Sequence, residues 1–376
     1  MSSALTPTPH SPASTWSERL LRMHIDIWLV GLLAAVGSLG LAVLYSASGG
    51  SAGEVFAQFQ RLVLGFVVMV TLAQVPPDFY RAGAPWFYGV ALILLVMVLV
   101  LGDHAKGAQR WLDLGILRFQ PSEMMKLAMP MMVAAWLHGR PLPPNWRDVL
   151  VALALIALPA GLVMVQPDLG TALLIIAAGG FALYLGGLSW RWIIGAMAAV
   201  AAAAPLLWFR LHDYQRNRVL TFLDPESDPL GTGYHITQSK IAIGSGGGFG
   251  KGLLNGTQAK LDFLPESHTD FIFAVLAEEL GMVGVVLLLS LYVAIVSRGL
   301  FIALRGHDSF QRLLAGALSL TFFIYVFINM GMVMGLMPVV GVPLPLFSYG
   351  GTSAVTLLAG FGMLMSIHTH RKLLSS

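Results

Sequence analysis

IWLVGLLAAVGSLGLAVLY, residues 27–45, is an apolar run without a charged side chain. A helix needs ~20 such residues to cross a bilayer, so the run predicts a membrane-spanning helix. The small residues Ser46, Ala47 and Ser48 that follow resemble a signal-peptidase site, but the run is longer than the apolar region of a signal peptide. We therefore expect a retained membrane helix.

The rest of the chain repeats this apolar pattern. With 56% hydrophobic and 11% charged residues, the protein has more apolar surface than one soluble core can bury, because soluble domains are nearer ~25% charged. The sequence therefore predicts an all-α polytopic membrane protein with about ten transmembrane helices. The predicted spans are residues 27–46, 61–77, 84–102, 122–138, 148–166, 169–188, 191–210, 269–304, 310–335 and 347–368.

Polar segments flank and interrupt the predicted helical domain, residues 27–370. Residues 1–26 are rich in Ser, Thr and Pro, which is typical of a disordered tail, and residues 371–376 form a short C-terminal tail. An even number of spans puts both termini on one side, and the Lys and Arg residues of the short loops make that side cytoplasmic. Residues 211–268, between the seventh and eighth predicted helices, are too polar and Gly-rich to span. We expect a long extracytoplasmic loop there, and its composition favours a functional role.

Charge and cysteine content exclude several classes of function. The net charge of +3 is small and scattered along the chain, so there is no basic tract for nucleic acid. The chain contains no cysteine, which excludes disulfides, a thiolate nucleophile and cysteine-ligated zinc sites.

Two segments outside the predicted helices are candidate anion sites. Lys106, Arg110 and Arg118 lie in a short predicted external loop, where the positive-inside rule disfavours basic residues. The glycine run at residues 244–252 matches neither a Walker A motif nor G-x-G-x-x-G. It is either a flexible turn or a nest of backbone N–H groups that receives an anion.

Asp270 lies at the predicted start of an apolar helix, with His268 close by. A carboxylate there can compensate the helix dipole, which is worth roughly 0.3–1 kcal/mol, or it can take a proton from a sugar hydroxyl. Further along the same predicted span, Glu278 falls within roughly 80° of Asp270 around the helix axis, whereas Glu279 faces the opposite way. Only Glu278 could face the same cavity, and structural pairing is the favoured interpretation for both glutamates.

Three other segments near the apolar runs each allow a structural and a functional interpretation. Glu123 and Lys126 are three residues apart and can meet on one helix face, as an internal ion pair or as substrate contacts. Asp168 in a short turn can cap the next helix or take part in a site. Residues 343–353 contain two prolines and two glycines before the last span, which predicts irregular backbone that is buried in protein or lines a cavity.

Six sequence blocks occur in a specific order from the third predicted span to the last. They are QPSEMMK (120–126), QPDLGT (166–171), GTGYHITQS (231–239), AIGSGG (242–247), HTDFIFAV with EELG (268–275 and 278–281) and PLPLFSYGGTS (343–353). In this order they resemble the SEDS family of bacterial wall synthesis, named for shape, elongation, division and sporulation. GKGLLNGTQ, residues 250–258, is similar to members that act in elongation rather than division.

The resemblance implies a ten-helix, inverting glycosyltransferase of the bacterial plasma membrane. Such an enzyme joins lipid II to undecaprenyl-diphosphate-linked glycan through β-1,4 bonds at the external face, during elongation and rod-shape maintenance. Its implied partners are a class B penicillin-binding protein transpeptidase, the elongation machinery and membrane lipids, with no nucleic acid. A lipid-linked precursor flippase and a non-catalytic scaffold for the penicillin-binding protein remain as alternatives.

The resemblance also implies roles for individual residues. Asp270 is the expected catalytic base, which deprotonates the acceptor 4-hydroxyl as it attacks. No cluster has the ligand spacing of a fixed metal site, although a divalent cation such as Mg²⁺ or Mn²⁺ could assist. Cations for the leaving diphosphate are expected at Lys106, Arg110, Arg216, Lys240 and Lys251, with further substrate contacts at Trp111, Glu123, Lys126, Ser245, Gln258, His268, Thr269 and Glu278.

Overall fold

A computed structural model describes residues 23–105, 108–113, 118–210, 213–224, 228, 231–260 and 266–370. Long helices make up most of this part of the chain. In chain order they are α1 Ile27–Ala47, α2 Ala52–Ala73, α3 Pro77–Leu101, α4 Pro121–Leu137, α5 Trp146–Val165, α6 Leu169–Leu185 and α7 Trp190–Arg210, then the shorter α8 Asp213–Leu223, α9 Thr232–Ser245 and α10 Thr257–Lys260, and finally α11 Ile272–Leu304, α12 Ser309–Val333 and α13 Thr352–Thr369.

The prediction of a polytopic helical membrane protein is confirmed. Ten long helices, α1 to α7 and α11 to α13, correspond one to one to the predicted spans. Seven helices in the described ranges are long and apolar enough to cross a membrane by length and composition. The centre of the bundle is α12, since 78% of its apolar stretch is buried and it packs against α4, α6 and α11. A small antiparallel sheet of β1 Asp103–Ala105, β2 Ala108–Asp113 and β3 Arg118–Phe119 lies between α3 and α4, as a local addition to the all-α prediction.

Two helix boundaries differ most from the predicted spans. The helix α2 begins well before residue 61, because Ser51 caps it by accepting a hydrogen bond from the backbone N–H of Glu54 at 3.5 Å. Its first turns are half polar, so hydropathy alone did not assign them to a helix. Pro76 and Pro77 separate α2 from α3 and set the start of α3 at Pro77, since proline is favoured in the first helical turn.

The helix α11 is broken at Gly281, which has φ 63° and ψ −158°. A straight helix of its 33 residues would be about 50 Å long, against a hydrocarbon core of about 30 Å. From residue 282 to Leu304 the helix rises about 34 Å, which is enough to span. Glu278 and Glu279 lie within the candidate span Ile272–Leu304, directly before the break. Ser46 at the end of α1 donates a hydrogen bond to Glu279.

The glycine run replaces the backbone partners that the break removes from α11. The N–H groups of Lys251 and Gly252 donate to the carbonyls of Glu278 and Glu279 at 3.0 and 2.9 Å. In return, the N–H groups of Met282 and Val283 donate to carbonyls of the run, those of Gly247 and Gly248, at 3.0 and 3.1 Å. The run is therefore not a free turn, and its Lys251 and Gly252 N–H groups are not available to an anion; an anion-binding role for the rest of the run stays a prediction.

The segment before α1 is held against the end of α13. Asp26 caps α1 by accepting from the N–H groups of Trp28 and Leu29, and its carboxylate lies 2.8 Å from Arg298. The His24 ring stacks on the His370 ring with centroids 3.9 Å apart. Residues 23–26 thus depart from the predicted disordered tail of residues 1–26, whereas residues 1–22 and 371–376 lie outside the described residues.

Candidate active site

A cavity of about 240 Å³ opens between β2, α4, the start of α6, α12 and the segment before α13. The glycine- and proline-rich stretch 341–353 forms one wall, as the sequence predicts for irregular backbone that lines a cavity. Its lining comes from five separate parts of the chain. The lining includes Trp111, Gln120, Glu123, Lys126, Asp168, Thr171, Tyr325, Gly341, Pro343, Gly350, Gly351, Thr352 and Ser353.

The carboxylate of Asp270 lies next to Gly341, a residue of the cavity lining, although Asp270 is not itself in that lining. A Cβ atom placed on Gly341 would lie 3.5 Å from Asp270 Oδ2, and Gly341 lines the cavity with φ +72°. Asp270 lies in the turn before α11 rather than in its first helical turn, because the helix begins at Ile272. The side-chain amide of Asn329 on α12 donates to the Asp270 carbonyl at 2.9 Å and to the Val342 carbonyl at 2.8 Å. One buried side chain thus ties the aspartate to the cavity wall.

His268 and Thr269 belong to the same turn as Asp270. The His268 carbonyl accepts a hydrogen bond from the N–H of Tyr349 at 2.9 Å, and the two rings meet edge to face at 6.1 Å. The Thr269 hydroxyl donates to the Glu266 carboxylate at 2.8 Å. The turn is therefore fixed to the 341–353 wall through its backbone at two points, His268 and Asp270.

Glu123 and Lys126 form an ion pair and also line the cavity. Lys126 Nζ lies 2.7 Å from Glu123 Oε1, with both side chains buried, and 5.0 Å from the ring centre of Tyr325. Glu123 Oε2 is buried and has no hydrogen-bond partner among the described residues. This oxygen can accept a hydrogen bond from a hydroxyl group that enters the cavity.

Asp168 and Trp111 also reach the cavity. Asp168 caps α6 by accepting from the N–H of Thr171 at 3.1 Å, and its other oxygen accepts from the Gln120 amide at 3.4 Å. Asp168 therefore caps α6 and also lines the cavity. The indole of Trp111 lines the cavity from β2. Lys106 and the side chain of Arg110 lie outside the described part of the chain.

Glu278, Lys251 and Gln258 form a separate cluster. Glu278 Oε1 accepts from Lys251 Nζ at 2.7 Å, from the N–H of Thr257 at 2.8 Å and from the N–H of Gln258 at 3.2 Å. None of the three residues is in the cavity lining. Asp270 lies in the turn before α11, so the angle expected between it and Glu278 on one helix does not apply, and the expectation that Glu278 faces the Asp270 cavity gives way to structural pairing.

Three further predicted site residues also make contacts away from the cavity lining. The Arg216 guanidinium donates to the Trp208 and Phe209 carbonyls, both at 2.9 Å, near the end of α7. Lys240 extends over Gly335, and the Ser245 hydroxyl donates to the Ala242 carbonyl of its own helix at 2.9 Å. The bonds from Arg216 and Ser245 give hydrogen-bond partners to backbone carbonyls at the C-terminal ends of α7 and α9.

His235 on α9 packs beside the Asp270 turn. Its ring lies 5.7 Å from the ring of Phe271, and its Nδ1 is buried without a hydrogen-bond partner among the described residues. Burial lowers the pKa of His235, and the carboxylates of Glu266 and Asp228 oppose that shift. The ring is therefore neutral at pH 7.

Sequence reasoning did not single out Asn329, Arg61, Gln120 or Tyr325. Asn329 is a fully buried polar residue inside an apolar helix, and a polar residue within a span is a signal of function. Arg61 falls at the edge of a predicted span, where a charge is equally informative. Gln120 begins the block QPSEMMK but had no role assigned to it, and no signal in the sequence marks Tyr325, since both roles depend on neighbours distant along the chain.

Comparison with known proteins gives consistent matches over nearly the full chain. Residues 22–373 match a family described as "Cell cycle protein", which comprises FtsW, RodA and SpoVE. The chain is 56% identical over 355 residues to the peptidoglycan glycosyltransferase MrdB of Escherichia coli (strain K12), covering 94% of this chain and 96% of that protein. It is 39% identical over 370 residues to a probable peptidoglycan glycosyltransferase FtsW of Halorhodospira halophila, covering 94% and 91%.

Solved structures match over the same extent. A chain in a peptidoglycan synthase complex, described as coordinating polymerization and crosslinking, is 36% identical with a TM-score of 0.82, covering 92% of this chain and 99% of that chain. The crystal structure of the rod shape determining protein RodA of Thermus thermophilus is 32% identical with a TM-score of 0.71, covering 92% and 98%.

Proposed function

This chain belongs to the FtsW, RodA and SpoVE family and is a peptidoglycan glycosyltransferase, and we propose that it polymerises lipid II with Asp270 as the catalytic base. One observation carries the role of Asp270. Its carboxylate lies next to Gly341 in the lining of a polar cavity, while Asn329 fixes its backbone to the same wall. A general base must lie within reach of the proton that it takes, and this carboxylate is held at the edge of a space that can receive a sugar.

The reaction is a single inverting displacement. The 4-hydroxyl of the lipid II acceptor attacks the anomeric carbon of the lipid-linked donor and gives its proton to Asp270. The bond between that carbon and the diphosphate oxygen breaks, and undecaprenyl diphosphate leaves with the electron pair. An α-linked diphosphate thereby becomes a β-1,4 bond. Glu123 Oε2 accepts a hydrogen bond from a sugar hydroxyl, and Trp111 provides an apolar face for a sugar ring.

Positive charge must stabilise the leaving diphosphate, since such stabilisation is a major part of many enzymatic rate enhancements. Lys106 and Arg110 stay predictions for this role. A divalent ion such as Mg²⁺ or Mn²⁺ also stays a prediction. It would enter with the diphosphate, because no group of three or more His, Asp or Glu residues in the described ranges could hold a metal.

The proposed location is the bacterial plasma membrane, with both termini cytoplasmic and the cavity at the external face. The distribution of basic residues over the short loops supports this orientation. The proposed partner is a class B penicillin-binding protein of the elongation machinery, which crosslinks the strands. The similarity to a chain in a complex described as coordinating polymerization and crosslinking supports that partner.

Polymerisation of fluorescent lipid II by the purified protein with its partner tests the proposal. We expect Asp270→Asn to lower the rate by about 10²–10⁴-fold, the usual contribution of a general base. Asp78→Asn is a matched control, because Asp78 is exposed and pairs with Arg81 at 3.2 Å far from the cavity lining. Full activity of Asp270→Asn, with the complex intact, would exclude the proposed base. Absence of polymer from the wild type would reopen the flippase and scaffold alternatives.

A further inference from the structure

Arg61 on α2 lies behind the glycine-rich wall of the cavity. Its guanidinium carbon is 4.5 Å from the ring centre of Tyr349. Its Nε is 3.5 Å from the position that a Cβ atom on Gly351 would occupy, and Gly351 lines the cavity. Because residue 351 is glycine, no side chain at that residue lies between the guanidinium and the cavity.

Gln58 fixes the position of α2 relative to that wall. It lies one turn before Arg61 on the same helix face and is 2% exposed. Its side-chain amide donates to the Ser348 carbonyl at 3.2 Å, and its carbonyl oxygen accepts from the N–H of Gly350 at 3.2 Å. These two bonds fix the backbone on either side of Tyr349, the residue that the Arg61 guanidinium contacts, and so define the position of the guanidinium.

The Arg61 side chain is half-buried, and one of its guanidinium nitrogens lacks a hydrogen-bond partner among the described residues. Its Nη1 is buried and makes no hydrogen bond within the described part of the chain. Buried charges are usually paired and hydrogen-bonded, because an unpaired one is costly. A donor group held in this state beside a cavity is suited to an anionic ligand.

The described cavity lining itself carries an excess of negative charge. Glu123 and Asp168 face it, and the positive charge of Lys126 is engaged by Glu123. Asp270 adds a further carboxylate next to the lining. A ligand with two phosphate groups would be repelled by these groups unless a cation such as a guanidinium offsets them, and the planar guanidinium fork matches phosphate oxygens in a bidentate arrangement.

We infer that Arg61 binds the diphosphate of the lipid-linked substrate through the gap at Gly350 and Gly351. This inference rests on the proposed function for the identity of the substrate, and it adds a binding residue to the same cavity. Arg61 contributes charge to the bound diphosphate both before and after the glycosidic bond forms. Its removal therefore weakens binding of the diphosphate itself and does not require turnover to be detected.

Equilibrium binding of inorganic diphosphate to the full-length protein in detergent, followed by the shift in melting temperature, is the primary test. We expect Arg61→Gln to weaken binding at least about tenfold, the loss of about one charge-assisted contact of 1.4 kcal/mol. Arg147→Gln is the matched control, because Arg147 is exposed and rests on Trp146 at 5.3 Å. Equal affinity of the wild type and Arg61→Gln would overturn the inference, and so would a wild type that does not bind diphosphate.

A second variant covers the case in which the first does not fold, and competition experiments identify the class of ligand. If Arg61→Gln does not fold, Arg61→Lys keeps the charge but loses the fork, and it should bind diphosphate more weakly than the wild type; unchanged affinity would overturn the inference. Competition by farnesyl diphosphate supports a prenyl diphosphate as ligand, whereas competition by phosphatidylglycerol alone would assign the site to a phospholipid headgroup and overturn it. Asp270→Asn should still bind diphosphate, so failure of the proposed base and failure of the Arg61 site give different results.

Discussion

Asn329 links two segments that are far apart along the chain. Both of its hydrogen-bond partners, the carbonyls of Asp270 and Val342, are acceptors, so the amide nitrogen must face them. Its Oδ1 is buried and has no partner among the described residues. The Asn329 amide nitrogen therefore donates two hydrogen bonds, which hold the backbone of Asp270 close to Val342 in the cavity wall.

We expect Asn329→Leu to reduce kcat about tenfold or more with little change in KM. The substitution removes both donors and leaves two buried carbonyls unsatisfied, at a cost of about 1–3 kcal/mol each, so the melting temperature should fall as well. Steady-state polymerisation kinetics check the effect on kcat and KM. Thr321→Val on the same helix is the control, because the Thr321 hydroxyl only donates to the Ala317 carbonyl one turn earlier. An Asn329→Leu enzyme with unchanged kcat would show that the amide does not position Asp270.

Among the elements, α11 depends on the glycine run, residues 244–252, for the hydrogen-bond partners of the backbone at its break. The run supplies backbone donors and acceptors to the break at Gly281. The Glu278 carboxylate also accepts hydrogen bonds from Lys251 in the run and from the N–H of Thr257 after it. A Cβ atom on Gly246 would lie 2.0 Å from the Ala277 carbonyl oxygen. The close approach of the two backbones therefore requires glycine at residue 246.

Gly281→Ala should destabilise the protein strongly. Its φ of 63° and ψ of −158° lie in a region that is open essentially only to glycine, where another residue costs about 1–3 kcal/mol. An added Cβ would also lie 2.3 Å from the N atom of Gly250. Thermal denaturation in detergent measures the loss.

Gly180→Ala on α6 is the control for this substitution, because a Cβ atom there meets nothing within 4 Å. It should be neutral or stabilising by up to about 1 kcal/mol, since alanine favours helix over glycine. Equal melting temperatures for the two variants would mean that the break is not constrained by glycine.

The elements of this fold were predictable to different degrees. The long helices follow from local composition, because a bilayer demands long apolar runs wherever the chain crosses it. The helices α8, α9 and α10 are short and polar, so hydropathy does not detect them. The break at Gly281 depends on contacts with the glycine run, which a periodicity argument along one helix cannot include. Asp270 could be singled out by its place before an apolar run, whereas Arg61 and Asn329 acquire their roles only through contacts with residues 341–351.

In the whole molecule, the two ends of the described chain meet through His24 and His370. The His24 ring stacks on His370 and its Nδ1 lies 3.0 Å from the Thr369 hydroxyl. Nearby, the Asp26 carboxylate contacts both Arg298 and His368. These contacts join the start of α1 to the ends of α11 and α13.

This junction should loosen as the pH falls below about 6.5. Burial, and then the neighbouring His370, lower the pKa of His24 from 6.5. The folded junction therefore binds a proton less readily than the open form, so its stability is complete above about pH 6.5 and declines as the pH falls through that value. Because the chain has no cysteine, a single Ser366→Cys substitution provides a unique thiol, buried and next to His370, whose labelling reports opening.

Labelling of that thiol, corrected for the intrinsic pH dependence of thiolate formation, should speed up between about pH 7.5 and about pH 5.5. His24→Phe in the same background keeps a stacking ring without a titrating group, and it should flatten the pH dependence. Identical corrected rates across the range in the His24 protein would show that the stacked pair does not respond to protons.

The break at Gly281 also sets how deeply this part of the molecule is immersed. An unbroken α11 of about 50 Å could fit a core of about 30 Å only by tilting through roughly 50° or by deforming the lipid around it, since mismatch is relieved in those ways. With the break, the helix after Gly281, which exposes side chains such as Met282 and Val283, can match the bilayer at a modest tilt, whereas the stretch before the break is buried in protein. A change in membrane thickness therefore acts first on the helix after the break, and the turn that carries Asp270 lies on the other side of it.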